Sequence, residues 1–228
     1  MLPEVTQVCV VVPARDEQDL LPSALRALDA ARDRVRHIRV DITVVADRCT
    51  DQTAELAASH GAIVISTDAG NVGAARAAGC SAALARHANG RERLWLATTD
   101  ADSQVPSDWI QAQLATAAEG HDLFLGTVRL ARTDQAEFGD WVSRYAADAR
   151  RWVHHGHVHG ASLGIRAETY VDLGGFRPLD SGEDVDLIHR ASKADAVIAW
   201  EHPGTVTTSA RRTGRAPGGV AADLASPA

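Results

Sequence analysis

The chain has 228 residues, of which 45% are hydrophobic and 23% charged, with a formal net charge of -7. That composition suits a single globular domain with a full-sized core and excludes a disordered chain. The acidic balance gives no general attraction to nucleic acid or to an anionic membrane. Cys9, Cys49 and Cys80 have no metal-ligand spacing and read as reduced thiols of a cytoplasmic protein. The opening Met1-Leu-Pro-Glu-Val-Thr-Gln7 has no basic stretch ahead of an apolar core, so no signal peptide is expected. No apolar run approaches bilayer-spanning length, so no transmembrane segment is expected either.

Val8 to Val12 is a β-branched run ending at Pro13, which predicts a strand buried on both faces. Leu21, Leu25 and Leu28 share one stripe of a helix over residues 20–31. A second strand is expected over Ile42 to Val45, followed by the polar turn Ala46-Asp-Arg-Cys-Thr-Asp51. A helix over 52–59 closes at Gly61, which suits a left-handed cap. Ala62 to Ser66 predicts a third strand, Asn71 opens a helix reaching about His87, and Leu94 to Thr98 predicts a fourth strand. Strands alternating with helices in this way argue for a parallel sheet with right-handed crossovers.

The second half has a different texture. Helices are expected over 109–119 and 134–153, the latter carrying Trp141, Tyr145 and Trp152, with a strand from Leu123 to Leu130 between them. A histidine-rich turn, a strand over 161–165 and a short helix from Ala167 come next. The turn Gly174-Gly175-Phe176 leads to Ser181-Gly-Glu-Asp-Val-Asp-Leu187 and another helix, and strands at 197–200 and 206–208 are expected to close the sheet. One domain is expected over 1–228, with a nucleotide-binding half to about 103, an acceptor half over about 104–208 and a flexible basic tail over 209–228.

The strand Leu94 to Thr98 runs into Asp100 and Asp102. Open α/β sheets bind ligands where their strands end, and alternate residues of an extended segment point the same way. Two carboxylates on one face call for a positive partner. A divalent cation carrying phosphate oxygens fits, with oxygen donors suiting Mg²⁺ or Mn²⁺. The plainer alternative is a solvated loop whose aspartates cap the next helix.

Five stretches in order carry a resemblance: Val10-Val-Val-Pro-Ala-Arg-Asp-Glu17, Asp47, Asn71-Val-Gly-Ala-Ala-Arg76, Asp100-Ala-Asp102 and Gly182-Glu-Asp-Val-Asp-Leu187. Over roughly residues 8–190 the chain resembles the family 2 glycosyltransferases. The resemblance implies a GT-A fold, an α/β architecture with a mainly parallel sheet. It also implies a metal-dependent, inverting transfer of a sugar from a uridine- or guanosine-diphosphate donor to a hydroxyl acceptor, which could be a small metabolite, a lipid head or a glycan.

The resemblance distributes roles. Pro13, Ala14, Arg15 and Glu17 would meet the nucleoside, and Asp47 would bond base or ribose, against the alternative of capping a turn with Thr50. Where the family often has an acidic pair followed by Gly-Ser, this chain reads Ala46-Asp-Arg-Cys49. Arg76 would reach the pyrophosphate or Asp100. Asp102 would ligate the metal, while Asp100 and the adjoining Ala101 contact ribose or metal-bound water. One of Glu183 and Asp184 would be the general base, with the second favoured, and Asp186 and His189 would stand behind them. Gly160 would let backbone approach the donor, with His159 bordering the sugar pocket.

From the residues themselves, Arg211, Arg212 and Arg215 lie in a glycine-jointed stretch without acids, suited to clamping a pyrophosphate. The cluster His154-His-Gly-His-Val-His159 lacks the helix spacing or cysteines of a zinc site. Two other readings compete. A nucleotidyltransferase would want a glycine-rich basic loop after the first strand, where Pro13 to Glu17 stands. A catalytically inactive nucleotide-sugar-binding module would have no need of the Glu-Asp pair. A membrane-peripheral position remains compatible with cytoplasmic location.

Overall fold

The structure, a computed structural model, describes residues 2–131, 139, 158–200 and 205–211. Among these, β1 (Gln7–Ala14) is an interior strand, third in order, of a seven-stranded sheet. Helix α1 (Leu21–Asp33) follows, then β2 (Arg39–Asp47), α2 (Thr53–Ser59), β3 (Ile63–Thr67), α3 (Val72–Arg86) and β4 (Leu94–Thr98). The pairs β1–β2, β1–β4 and β2–β3 are all parallel, as the alternating pattern requires. Val8, Val10, Val11 and Val12 are at most 1% exposed, which explains the unbroken β-branched run: helices cover both faces of the strand.

Pro13 does not stop β1, contrary to the sequence expectation. The strand continues to Ala14 opposite Ala46 of β2, while its pairing with β4 ends at Val11. Past that point β1 has a neighbour on one side only, and a residue without an N–H is tolerated there. Asp47, expected in the turn after the second strand, is the last residue of β2.

Helix α3 is fixed closely to the sheet. Asn71 caps it by accepting from the Ala74 N–H at 2.7 Å, as an Asx cap should. A Cβ at Gly79 would run into Val11 and Val45, so a glycine in mid-helix brings α3 down onto β1 and β2. The core lies on the two faces of the sheet, one including Trp95, Trp109 and Phe124, the other Leu96, Leu123 and Ile165.

The second half joins the same sheet in a less regular way. After β5 (Ser103–Gln104) and α4 (Trp109–Ala118), the strand expected over 123–130 is two strands, β6 (Leu123–Leu125) and β7 (Val128–Leu130), in different sheets. The break is at Gly126, whose N–H donates to the Ser162 carbonyl at 2.8 Å and whose missing Cβ would meet the Ser162 side chain. Residues 160–162 form a turn of 3-10 helix rather than the start of a strand, and β8 (Leu163–Arg166) runs antiparallel to both β4 and β6. Helices α5 (Ala167–Asp172) and α6 (Glu183–Lys193) follow, and β9 (Ile198–Trp200) completes the order β3-β2-β1-β4-β8-β6-β9.

Strand β10 (Val206–Thr208) does not close this sheet. It sits between β5 and β7 in a separate three-stranded sheet. Apart from residue 139, the helix expected over 134–153, with Trp141, Tyr145 and Trp152, and the histidines 154, 155 and 157 lie outside the described residues. Among the described residues no helix is long and apolar enough to cross a membrane.

Candidate active site

A cleft opens where β1, β2 and β4 end, and the turns after each strand form its wall. It is lined by Pro13 and Ala14 at the end of β1 and Arg15 and Glu17 after it, by Asp47 at the end of β2, and by Asp100, Ala101 and Asp102 after β4. The start of α3 (Gly70 to Val72, Ala75, Arg76), the 159–161 turn, the start of α6 and the Thr208–Arg211 segment complete it.

At the end of β2, the Asp47 carboxylate is 4% exposed. Both of its oxygens accept from the Gly70 N–H at 3.0 Å. Gly70 has φ +75°, and Arg48 covers the position of its missing Cβ. Thr50, the alternative partner of Asp47, instead bonds Asp16: its N–H and hydroxyl reach Asp16 Oδ1 at 2.7 and 3.2 Å. Asp16, Cys49 and Asp51 converge closely enough to share an ion. Asp51, however, accepts from the Gln18 and Thr53 N–H groups, so this group already serves to clasp the turns after β1 and β2.

Asp100 and Asp102 do not lie in an extended segment. They belong to a turn in which the Ser103 N–H donates to the Asp100 carbonyl at 3.1 Å, yet both line the cleft. Asp100 keeps 35% of its side-chain surface open to the cleft. Enclosure by protein pushes its carboxyl above the usual range; Arg76 opposes this, and the neighbouring Asp102 and Asp184 charges add to it.

Arg76 is 4% exposed and joins two halves of the site. Its Nη2 donates to Asp100 Oδ1 at 2.5 Å, and its Nη1 pairs with Glu183 Oε1. The loop before Glu183 reaches this position because residue 73 is glycine: a Cβ there would strike the Arg177 carbonyl and the Leu179 N–H. Gly160 lies across the Arg76 guanidinium, which fills the space a Cβ would need. The glycine therefore makes room for Arg76.

The structure separates Glu183 from Asp184. Glu183 is 3% exposed and tied to Arg76. Asp184 faces the cleft, with Oδ2 accepting from the Gly160 N–H at 2.7 Å. Across the cleft Arg211 donates from Nη1 to Glu17 Oε1 at 2.6 Å and pairs through Nη2 with Asp102 Oδ2 at 3.1 Å. Burial works against the Arg211 charge, but Asp102, Glu17 and Asp100 outweigh it and hold its pKa above the ordinary arginine value.

The family model described as Glycosyl transferase family 2 matches residues 9–168. The chain belongs to that family. Undecaprenyl-phosphate 4-deoxy-4-formamido-L-arabinose transferase of Klebsiella pneumoniae is 34% identical over 139 residues, 58% of this chain and 39% of that protein. The Pseudomonas fluorescens protein of the same name is 33% identical over 129 residues, 57% of this chain and 37% of that protein. The chain thus spans about two fifths of the length of the curated relatives it matches.

Among solved structures, Staphylococcus aureus TarS 1-349 in complex with UDP-GlcNAc superposes with a TM-score of 0.66 at 16% identity, over 92% of this chain and 60% of that one. Glucosyl-3-phosphoglycerate synthase from Mycobacterium tuberculosis, with Mn²⁺, UDP and its product, gives 0.61 at 18% identity, over 89% and 71%. The mannosyltransferase PcManGT from Pyrobaculum calidifontis, with GDP-Man and Mn²⁺, gives 0.61 at 22% identity, over 91% and 58%. The shared fold is that of the GT-A glycosyltransferases, as the resemblance implied.

For this family member, the cleft gathers Pro13, Ala14, Arg15, Glu17, Asp47, Arg76, Asp100, Ala101, Asp102, Gly160, Glu183, Asp184 and Arg211; Arg212 and Arg215 lie outside the described residues. Sequence reasoning missed Gly70 as the donor to Asp47 and Ser209 as a donor to Asp102 at 2.7 Å. The first could have been found from the Gly70-Asn71 pair ahead of a helix, a turn-and-cap signature. No local pattern announces Ser209.

Proposed function

We propose that the chain is a metal-dependent, inverting glycosyltransferase that moves a sugar from a nucleoside diphosphate, uridine- or guanosine-linked, to an acceptor hydroxyl. The single observation that carries this reading is the convergence of Asp100 and Asp102 with Asp184 in one cleft at the ends of the parallel strands.

The donor set suits a hard divalent cation. Asp100 and Asp102 offer carboxylate oxygens, and the acids lining the cleft (Glu17, Asp47, Asp100, Asp102, Glu183, Asp184) outnumber its arginines (Arg15, Arg76, Arg211). A bound Mg²⁺ or Mn²⁺ held there would neutralise the charge that develops on the departing diphosphate. Asp47 supplies a fixed acceptor for a base or ribose donor. Asp184 takes the proton of the acceptor hydroxyl as its oxygen bonds to the anomeric carbon from the face opposite the diphosphate, whose bond breaks. The Gly160 N–H orients that carboxylate. Glu183 acts as a positioning residue, fixing the first turn of α6 through Arg76.

The two undecaprenyl-phosphate transferases among its relatives support a second acceptor class, a lipid-linked phosphate. With that acceptor the protein would work at a membrane surface, peripherally. Nucleoside diphosphate release from a panel of UDP- and GDP-sugars, with Mn²⁺, Mg²⁺ or EDTA, tests the reading. Metal-dependent release with one donor is expected; release unaffected by EDTA would refute the metal requirement.

A further inference from the structure

The segment after β10 enters the cleft and engages Asp102 twice. Ser209 Oγ donates to Asp102 Oδ2 at 2.7 Å, and Arg211 Nη2 lies 3.1 Å from the same oxygen. The second arm of the guanidinium reaches Glu17 Oε1 at 2.6 Å, on the loop after β1. Both carboxylates are recessed, with side-chain exposures of 5% for Glu17 and 11% for Asp102, while Arg211 keeps 28%. A planar guanidinium bridging two recessed carboxylates from different loops is held by charge as well as hydrogen bonds.

A divalent cation ligated by Asp102 through Oδ2 sits about 2.0–2.6 Å from that oxygen. The Arg211 guanidinium 3.1 Å from the same atom would then face a double positive charge at close quarters, in a cleft where water screens it poorly. The two cations oppose each other at Asp102. A diphosphate offers the displaced guanidinium a new pair of oxygens, in the bidentate geometry arginine prefers.

We propose that Arg211 is the resident counter-cation of Asp102 and Glu17, and that it exchanges with the divalent metal: metal takes Asp102, and Arg211 passes to the diphosphate. This rests on the reading of Asp102 as a metal ligand. The exchange makes metal and nucleoside diphosphate bind synergistically. Metal alone must evict Arg211 without compensation, whereas metal arriving with diphosphate gives it another partner, and that difference is a coupling free energy between the two ligands.

Calorimetric titration of the full chain with Mn²⁺ alone, and with Mn²⁺ at saturating UDP or, in parallel, GDP, reads the coupling. The wild type should bind Mn²⁺ alone weakly and gain strongly from the nucleotide. Arg211→Gln should bind Mn²⁺ alone roughly fivefold or more tightly than the wild type, and its gain from nucleotide should shrink by a similar factor. Arg211→Lys, which keeps the charge, should behave like the wild type toward Mn²⁺ alone and guards against a folding defect in the Gln variant.

Equal Mn²⁺ affinity in wild type and Arg211→Gln, with binding abolished in both by Asp102→Asn, would overturn the exchange while leaving the metal reading intact. Arg211→Lys matching Arg211→Gln would overturn it as well, since charge would not be the cause. No Mn²⁺ binding by any variant, with or without nucleotide, would remove the metal reading and this proposal with it.

Discussion

The two walls of the cleft are built on different principles. On the side formed by the ends of β1 and β2, carboxylates are pinned by main-chain amides from adjoining turns: Asp47 by Gly70, Asp16 by Thr50, Asp51 by Gln18 and Thr53. The Glu17 N–H in turn donates to Thr53 Oγ1 at 2.8 Å. On the opposite side, carboxylates from two separate segments are held by side chains. Asp100 and Glu183 share Arg76, and Asp102 depends on Arg211 and Ser209. A wall fixed by the backbone survives the loss of one side chain, because the amides that hold it belong to elements already packed in the sheet. A wall fixed by one guanidinium does not.

The largest expected effect breaks the second wall outright. Arg76→Met leaves the Glu183 carboxylate, 4% exposed, and the partly exposed Asp100 without their cation. Removing one member of a buried charge pair costs on the order of 3–5 kcal/mol, a large share of the 5–15 kcal/mol by which a domain is typically stable. Urea denaturation should show a correspondingly lower midpoint, and turnover should disappear with it. Asp47→Asn keeps an acceptor oxygen for Gly70 and should lose well under half as much stability. If the two variants lose equal stability, the contrast between the walls is wrong.

A smaller, purely chemical effect sharpens the comparison. Asp184→Asn keeps the shape and the bond from the Gly160 N–H, so folding and nucleoside diphosphate affinity should hardly change. Turnover should fall by roughly 10²–10⁴-fold, the usual worth of general-base catalysis. A variant retaining near-wild-type turnover at saturating acceptor would move the base elsewhere, or would favour an acceptor that is already ionised, such as a phosphate.

How far each wall was legible in the sequence follows from the same difference. The backbone-pinned wall sits at the ends of β1 and β2, whose β-branched and apolar runs announce buried parallel strands. The Gly70-Asn71 pair marks the turn at the start of α3. Strand ends were misjudged at Pro13 and Asp47 because pairing on one side, invisible locally, decides where a strand stops. The other wall depends on ion pairs between distant residues: 107 positions separate Arg76 from Glu183, and 194 separate Arg211 from Glu17. Nothing in a local pattern specifies such a partner. The split of 123–130 into β6 and β7 has the same origin, since Gly126 breaks the strand to meet Ser162 from a later segment. The five ordered motifs marked which residues matter, but not that Glu183 would turn inward to Arg76 while Asp184 faces the cleft.

The smallest expected effect tests whether ion pairs also position the helix carrying Asp184. Asp186 Oδ2 accepts from Arg190 Nε and Nη2 at 2.9 and 2.7 Å, and its Oδ1 accepts from Arg177 Nη1 at 3.1 Å. Arg190 also donates to the Leu173 and Gly175 carbonyls, fastening α6 to the turn ahead of it. The hydrogen bonds from Arg190, followed by the charges of Arg190 and Arg177, hold the Asp186 carboxyl below its ordinary value despite partial burial. A carboxylate with a lowered folded-state pKa contributes stability above its unfolded value, near 3.9, and loses it as pH falls through the folded value. Asp100 has the opposite sign, so the bare pH profile mixes the two, and the informative quantity is the difference between wild type and Asp186→Asn. That gap should be modest at neutral pH, about 0.3–1 kcal/mol for a partly exposed pair, and should close as pH drops below about 4. A gap that stays constant with pH would mean that the bonds from Arg190 to the two carbonyls, and not its charge pair with Asp186, hold the helix in place.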